Sequence, residues 1–176
     1  RTVILPLAAI APPVGADDTA QGYREAAASI PESLVSTLDI QQAMDELLLH
    51  QPTCDLWNLE SMRSTSDRLH RLTRVRRCEW DVDLSAGIEA DFSHLLDLRR
   101  IAAVIELNAR ICLNRGDRKG FDDHVESLLR LTTHAGPDSL IASLVAMALL
   151  EQADGIIAQA RDRGALDREL AARIAP

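Results

Sequence analysis

The stretch 91–164 constrains the fold more than any other. Two compact joints interrupt it, Asn114-Arg115-Gly116-Asp117 and Ala135-Gly136-Pro137-Asp138, and between them apolar residues recur with the period of a helix, not of a strand. Asp91 reads as the N-cap of a helix reaching about Asn114, with Leu95, Leu98, Ala102, Ile105, Ala109 and Cys112 inward. Gly116 stands where a helix ends in the left-handed conformation. Asp117 then opens a second helix, whose inward set is Phe121, Val125, Leu128 and Thr132. Gly136 and Pro137 stop it, and a third helix runs over 138–163 with Leu140, Leu144, Ala148 and Ile156 as core candidates. Residues 144–150 are apolar nearly all round, which predicts a central position between other helices. Joints this short make the helices antiparallel neighbours. The small residues Ala102, Ala103, Ala109, Ala142, Ala146 and Ala148 admit close approach.

The chain before residue 91 is more broken. Residues 3–14 are apolar but interrupted by Pro6, Pro12 and Pro13, which gives an extended arm or linker over 1–16 ahead of a single helical domain over 17–176. Tyr23, Ala26, Ala27 and Ile30 fall at i, i+3, i+4 and i+7, and Pro31 ends that helix. Leu34, Val35 and Leu38 suggest a short connection. Asp39 with Gln42 resembles a capping box for a helix carrying Ile40, Met44, Leu47 and Leu48 as far as Pro52. Residues 53–75 read as one long helix, or two with a weak point at Ser64-Thr65-Ser66, with Leu56, Leu59, Met62, Leu69 and Leu72 at the required spacing. The next segment, 78–87, has no helical period and reads as an ordered loop pinned by Trp80. A last short helix is expected over 167–174. The fold class is therefore all-α, an antiparallel bundle or hairpin array of about six helices.

Composition excludes several roles. The formal net charge of -8, with Lys119 the sole lysine, argues against nucleic acid or an anionic membrane as partner. No run of about twenty wholly apolar residues is present, so no membrane span is expected. Cys54, Cys78 and Cys112 are far apart and form neither a disulfide framework nor a zinc motif; small buried apolar residues is the better reading.

Several landmarks taken together resemble a known set of proteins. They are the 17–26 run ending in Tyr-Arg-Glu-Ala, the segment Arg77-Cys78-Glu79-Trp80-Asp81, and the Leu-x-x-Leu-Arg-x-x-Ala stretch ending at Ala102. To these are added Ala109-Arg110, Gly116-Asp117 and Leu140-Ile141-x-x-Leu144-Val145. The order is similar to that of a family of helical proteins from planctomycete bacteria, in which the opening is Asn-Ala-Ala-x-x-Tyr-x-x-Ala-Leu. Here an aspartate stands for the Asn and Ala27 for the Leu. The resemblance implies an all-α domain in the cell envelope or periplasm and carries over no catalytic residue. A weaker likeness is to tetratricopeptide-type hairpins, although no clean 34-residue repeat is evident.

The most suggestive chemistry is a pair of Asp-x-x-His units, Asp67-x-x-His70 and Asp91-x-x-His94. A carboxylate and an imidazole three residues apart share a helix face, as in di-iron bundles, and Glu106, Glu126 or Glu151 are the available bridging carboxylates. Capping and surface hydrogen bonds account for the same residues more simply, so no metal or other cofactor is assigned. Arg63, Arg68, Arg71, Arg74, Arg76 and Arg77 form a basic concentration, but nine carboxylates lie in 17–62 and six in 78–97, so ion pairing within the chain is the expected use. Asp122-Asp123-His124 reads as isolated. His50 and His134 lie near helix C-termini, where an imidazolium complements the dipole. No Gly-x-Ser-x-Gly elbow, phosphate loop or His-Glu-x-x-His is present. The reading is a non-enzymatic interaction or scaffold domain with a protein partner; the alternative is a helical bundle that binds a small ligand or metal.

Overall fold

A computed structural model describes residues 16–30, 59–76, 78–135 and 139–164, with the backbone alone at 16–18, 59–64 and 88. The described residues form five helices: α1 (Ala16–Ala28), α2 (Leu59–Thr73), α3 (Ser93–Arg115), α4 (Arg118–Thr133) and α5 (Leu140–Asp162). A 3-10 segment over Leu84–Glu89 precedes α3, and no strand occurs among the described residues. The all-α class is thus shown, with five described helices against about six expected. The segments expected around Asp39 and Asp167, and Cys54 and His50, lie outside the described residues.

The α3–α4 hairpin is the centre of the fold, and its joint is built as the local sequence dictates. Gly116 takes φ 71°, which a Cβ-bearing residue adopts at a cost. Its N–H reaches Leu113 O and the Asp117 N–H reaches Cys112 O at 2.9 Å, the paired bonds of a Schellman ending. Asp117 then accepts from the Gly120 N–H at 3.0 Å and starts α4. At the head of α3 the N-cap position falls on Phe92, which makes no side-chain cap bond, and not on Asp91 as expected. Asp91, one residue earlier, accepts from the Ser93 N–H at 2.8 Å in a local turn.

Burial follows the expected stripes on α1, α3 and α4, except that Cys112 and Thr132, expected inward, are half-buried because they lie toward helix ends. Cys78, in the segment ahead of α3, is half-buried as well. Tyr23, Ala26 and Ala27 are enclosed, as are Leu95, Leu98, Ala102, Ile105 and Ala109 on α3 and Phe121, Val125 and Leu128 on α4. The helix over 59–73 runs unbroken through Ser64-Thr65-Ser66, and its Leu69 and Leu72 are buried. Gly22 lets α1 lie close against Leu72 of α2, because a Cβ at that position would meet Leu72 Cδ2 at 2.6 Å. Helix α1 packs on α3 and α2, α2 packs on α4, and α5 closes the bundle against α4 and α3.

Helix α5 departs from expectation. Leu140 is 76% exposed and Leu144 56%, and Ala148 is exposed too; of the four core candidates Ile156 alone is buried. The inward set is Ala142, Leu149, Ala153, Ile156 and Ala160. The physical reason is that both faces of this helix are apolar, so periodicity cannot choose between them. Close approach to α3 and α4 selects the face rich in alanine. The helix is peripheral, not central. It is also long and apolar enough, by length and composition, to cross a membrane, which the absence of a wholly apolar run had not suggested. Its half-buried glutamines bond charged side chains of α3, as befits a bundle helix: Gln152 donates to Glu106, and Gln159 Oε1 accepts from Arg110 Nη1 at 2.7 Å.

Candidate functional site

The first feature with functional weight is the outward face of α5. Leu140, Ile141, Leu144, Met147 and Leu150 are exposed, between 42% and 76%, along a run (140–150) that contains no charge. Scattered exposed leucines are ordinary, but five large apolar side chains on two to three turns of one helix form a patch. Acidic residues follow it: Glu151 and Asp154, both exposed.

The second feature is a polar cleft of about 750 Å³ between α2, α3 and α4. From α2 come Ser66, Asp67 and His70; from α3 come Asn108, Ile111, Cys112 and Arg115. The α3–α4 joint and the first turns of α4 add Asp117, Lys119, Gly120, Asp123 and His124. At Gly120 a Cβ would meet Asp117 Oδ2 at 2.5 Å and Cys112 Sγ at 2.8 Å, so the glycine lets α4 start tight against α3. The His70 and His124 rings lie 4.6 Å apart, and His70 Nδ1 shares a 2.5 Å hydrogen bond with Ser127 Oγ. Burial pushes His124 down to about 4, with the neighbouring His70 adding to the effect; His70 is lowered chiefly by burial too. Burial lifts the Cys112 thiol to about 11, assisted by Asp117, so it is an unreactive thiol. Among the described residues, two buried side-chain nitrogens lack a hydrogen-bond partner, Asn108 Nδ2 and His124 Nδ1, and both residues line this cleft.

A third cluster is a structural knot. His134 Nε2 bonds the Val75 carbonyl at 2.9 Å, and because a carbonyl only accepts, Nε2 carries the proton. Nδ1 of the neutral ring then accepts from the Tyr23 hydroxyl at 2.7 Å. The Trp80 indole N–H donates to His134 O at 2.7 Å, and its ring stacks on His94 at 4.6 Å. Burial holds the Tyr23 phenol well above its ordinary range and lowers His134. Cys78, beside this knot, is pushed up to about 12 by burial. His134 is therefore not the dipole-complementing imidazolium the sequence suggested, since desolvation disfavours the charged ring. Trp80 does pin the segment before α3 through its bond to His134 O, and within it Leu84–Glu89 forms a 3-10 turn where an ordered loop without helical period was expected.

The two Asp-x-x-His units do not meet. Asp67 and His70 face the cleft, whereas the exposed Asp91 bonds the Ser93 N–H just ahead of α3 and His94 lies against Trp80. Among the described residues no group of three or more His, Cys, Asp or Glu is placed to hold a metal ion. His124, read as isolated, turns out to be buried beside His70. A signal for this was available: at helical spacing His124 sits between Phe121 and Leu128, next to Val125, on the inward stripe. The partner on α2 was not legible. In the basic concentration, Arg68 pairs with Glu25, in line with internal ion pairing, while Arg71 and Arg74 are exposed. Comparison with protein-family models, with curated proteins and with solved structures yields no match.

Proposed function

We propose that this chain is a non-enzymatic helical interaction domain that docks a protein partner through the outward face of α5. The observation that carries the reading is the uncharged run 140–150 with its five exposed large apolar side chains. Such a face costs solubility unless something covers it. Leu140, Leu144 and Met147 at i, i+4 and i+7 match the way an amphipathic helix lies along another helix, and Met147 adds adaptability. The chain's net charge of -8 and the exposed Glu151 and Asp154 favour a partner whose apolar stripe is flanked by basic side chains. The same charge opposes a second copy of this chain and nucleic acid. The resemblance to helical proteins of planctomycete bacteria supports a setting in the cell envelope.

A photoreactive amino acid at position 147, with the same probe at the exposed Leu96 as control, tests this in the source cells. The expected result is one discrete protein adduct from position 147 that is absent from position 96 and lost in Leu144→Glu. Equal labelling at both positions, no adduct, or flotation of the purified chain with lipid vesicles would each overturn the reading.

A further inference from the structure

The cleft between α2, α3 and α4 lies away from the α5 face and carries an independent argument. Four of its charged side chains are of opposite sign yet stay apart. Arg115 and Lys119 stand at the α3–α4 joint, Asp67 on α2, and Asp123 one helical turn further along α4. The ion pairs found among the described residues involve other side chains. Opposite charges around one concavity that do not satisfy each other form a dipolar lining.

Two further observations point to a ligand. Asn108 Nδ2 and His124 Nδ1 are buried without a partner, and His124 is 8% exposed. An unsatisfied buried nitrogen is destabilising, so two of them on residues lining one cleft mark a place where hydrogen bonds are completed from outside the chain. The volume, about 750 Å³, is in the range of small-molecule sites.

The lining selects among ligand classes. A bare anion would meet Asp67, Asp117 and Asp123; a bare cation would meet Arg115 and Lys119. A metal ion has no convergent ligand set among the described residues. We infer that the cleft binds a small zwitterion of the free amino-acid class, its ammonium group toward Asp67 and Asp123 and its carboxylate toward Arg115 and Lys119. The Asn108 amide and the neutral His124 ring, whose unpartnered nitrogens are enclosed in the free chain, become further hydrogen-bonding partners when they turn toward the bound ligand. Ile111 gives the cleft an apolar spot for a side chain.

The test is thermal unfolding and titration calorimetry of the full chain with each of the twenty free L-amino acids. N-acetylated and amidated forms of any that bind follow, with inorganic phosphate and zinc ion as comparison probes. The expected result is a raised Tm and one-to-one binding for at least one free amino acid, lost when either end is blocked. Asp123→Asn and Lys119→Ala should each weaken binding about tenfold or more, the loss of one charge-assisted contact, whereas Leu96→Ala, at an exposed position, leaves it unchanged. The blocked forms need no variant, so a folding defect cannot mimic the result. Failure of all twenty, equal binding of blocked and free forms, or stoichiometric binding of phosphate or zinc alone overturns the proposal. None of these outcomes bears on the α5 face.

Discussion

His124 makes the bundle's stability depend on pH, and the sign follows from its surroundings. Burial among α2, α3 and α4, with His70 alongside, lowers its pKa to about 4, against about 6.5 in the unfolded chain. Between those values the unfolded state binds the proton and the folded state does not, so stability rises with pH across the window. It is lost progressively as pH falls from about 6.5 to about 4, by at most about 3 kcal/mol. Urea unfolding at a series of pH values should show this loss, and His124→Gln should flatten it. An unchanged slope in the variant would place the titrating group elsewhere. At this scale the sequence was informative about which residues turn inward and silent about whom they meet. Tyr23 lay on a clear stripe, yet its hydroxyl bonds His134, 111 positions away. Nothing local to either residue encodes that pairing. It is set by α1 and the end of α4 arriving at the same place.

Elements were legible where local chemistry decides and ambiguous where packing decides. The joint at Gly116-Asp117 was readable because a left-handed glycine followed by a capping aspartate has few other uses. Helix α5 was readable as a helix but not in its rotation, because Leu140, Leu144 and Ala148 make as good a stripe as Ala142, Leu149 and Ala153. Two substitutions separate the rotations. Ala153 is fully enclosed, so Ala153→Leu should overpack the seam and destabilise by about 1–3 kcal/mol. Leu144 faces solvent, so Leu144→Ala should change stability by no more than about 0.5 kcal/mol. Had the leucine stripe been the buried one, Leu144→Ala would cost about 2–5 kcal/mol. Chemical denaturation of both variants therefore reports which face α5 buries, and with it which face is left for a partner.

Across the whole molecule, α5 is tied to the hairpin by polar as well as apolar contacts. Glu106 is buried on α3 and accepts from Arg110 Nε at 2.9 Å and Nη2 at 2.6 Å; its other oxygen accepts from Gln152 of α5. Arg110 in turn donates to Gln159, two turns further along α5. A seam of alanines is weakly directional, since small side chains slide past one another with little change in contact. The four-residue network fixes the sliding position, because its hydrogen bonds are made in one register. Such a network is cooperative. Arg110→Met leaves the Glu106 carboxylate buried with one neutral donor and should destabilise by roughly 3 kcal/mol. Glu106→Leu strands the guanidinium in the same way. The double variant should lose clearly less than the sum of the two, giving a coupling energy on the order of 1–3 kcal/mol in a double-mutant cycle. Additive losses would mean the pair does not hold the helix in register. Amide hydrogen exchange adds the location: in Arg110→Met, protection of α5 should fall ahead of that of α3 and α4. The outward apolar face would then rest on a helix held in place by its inward polar bonds.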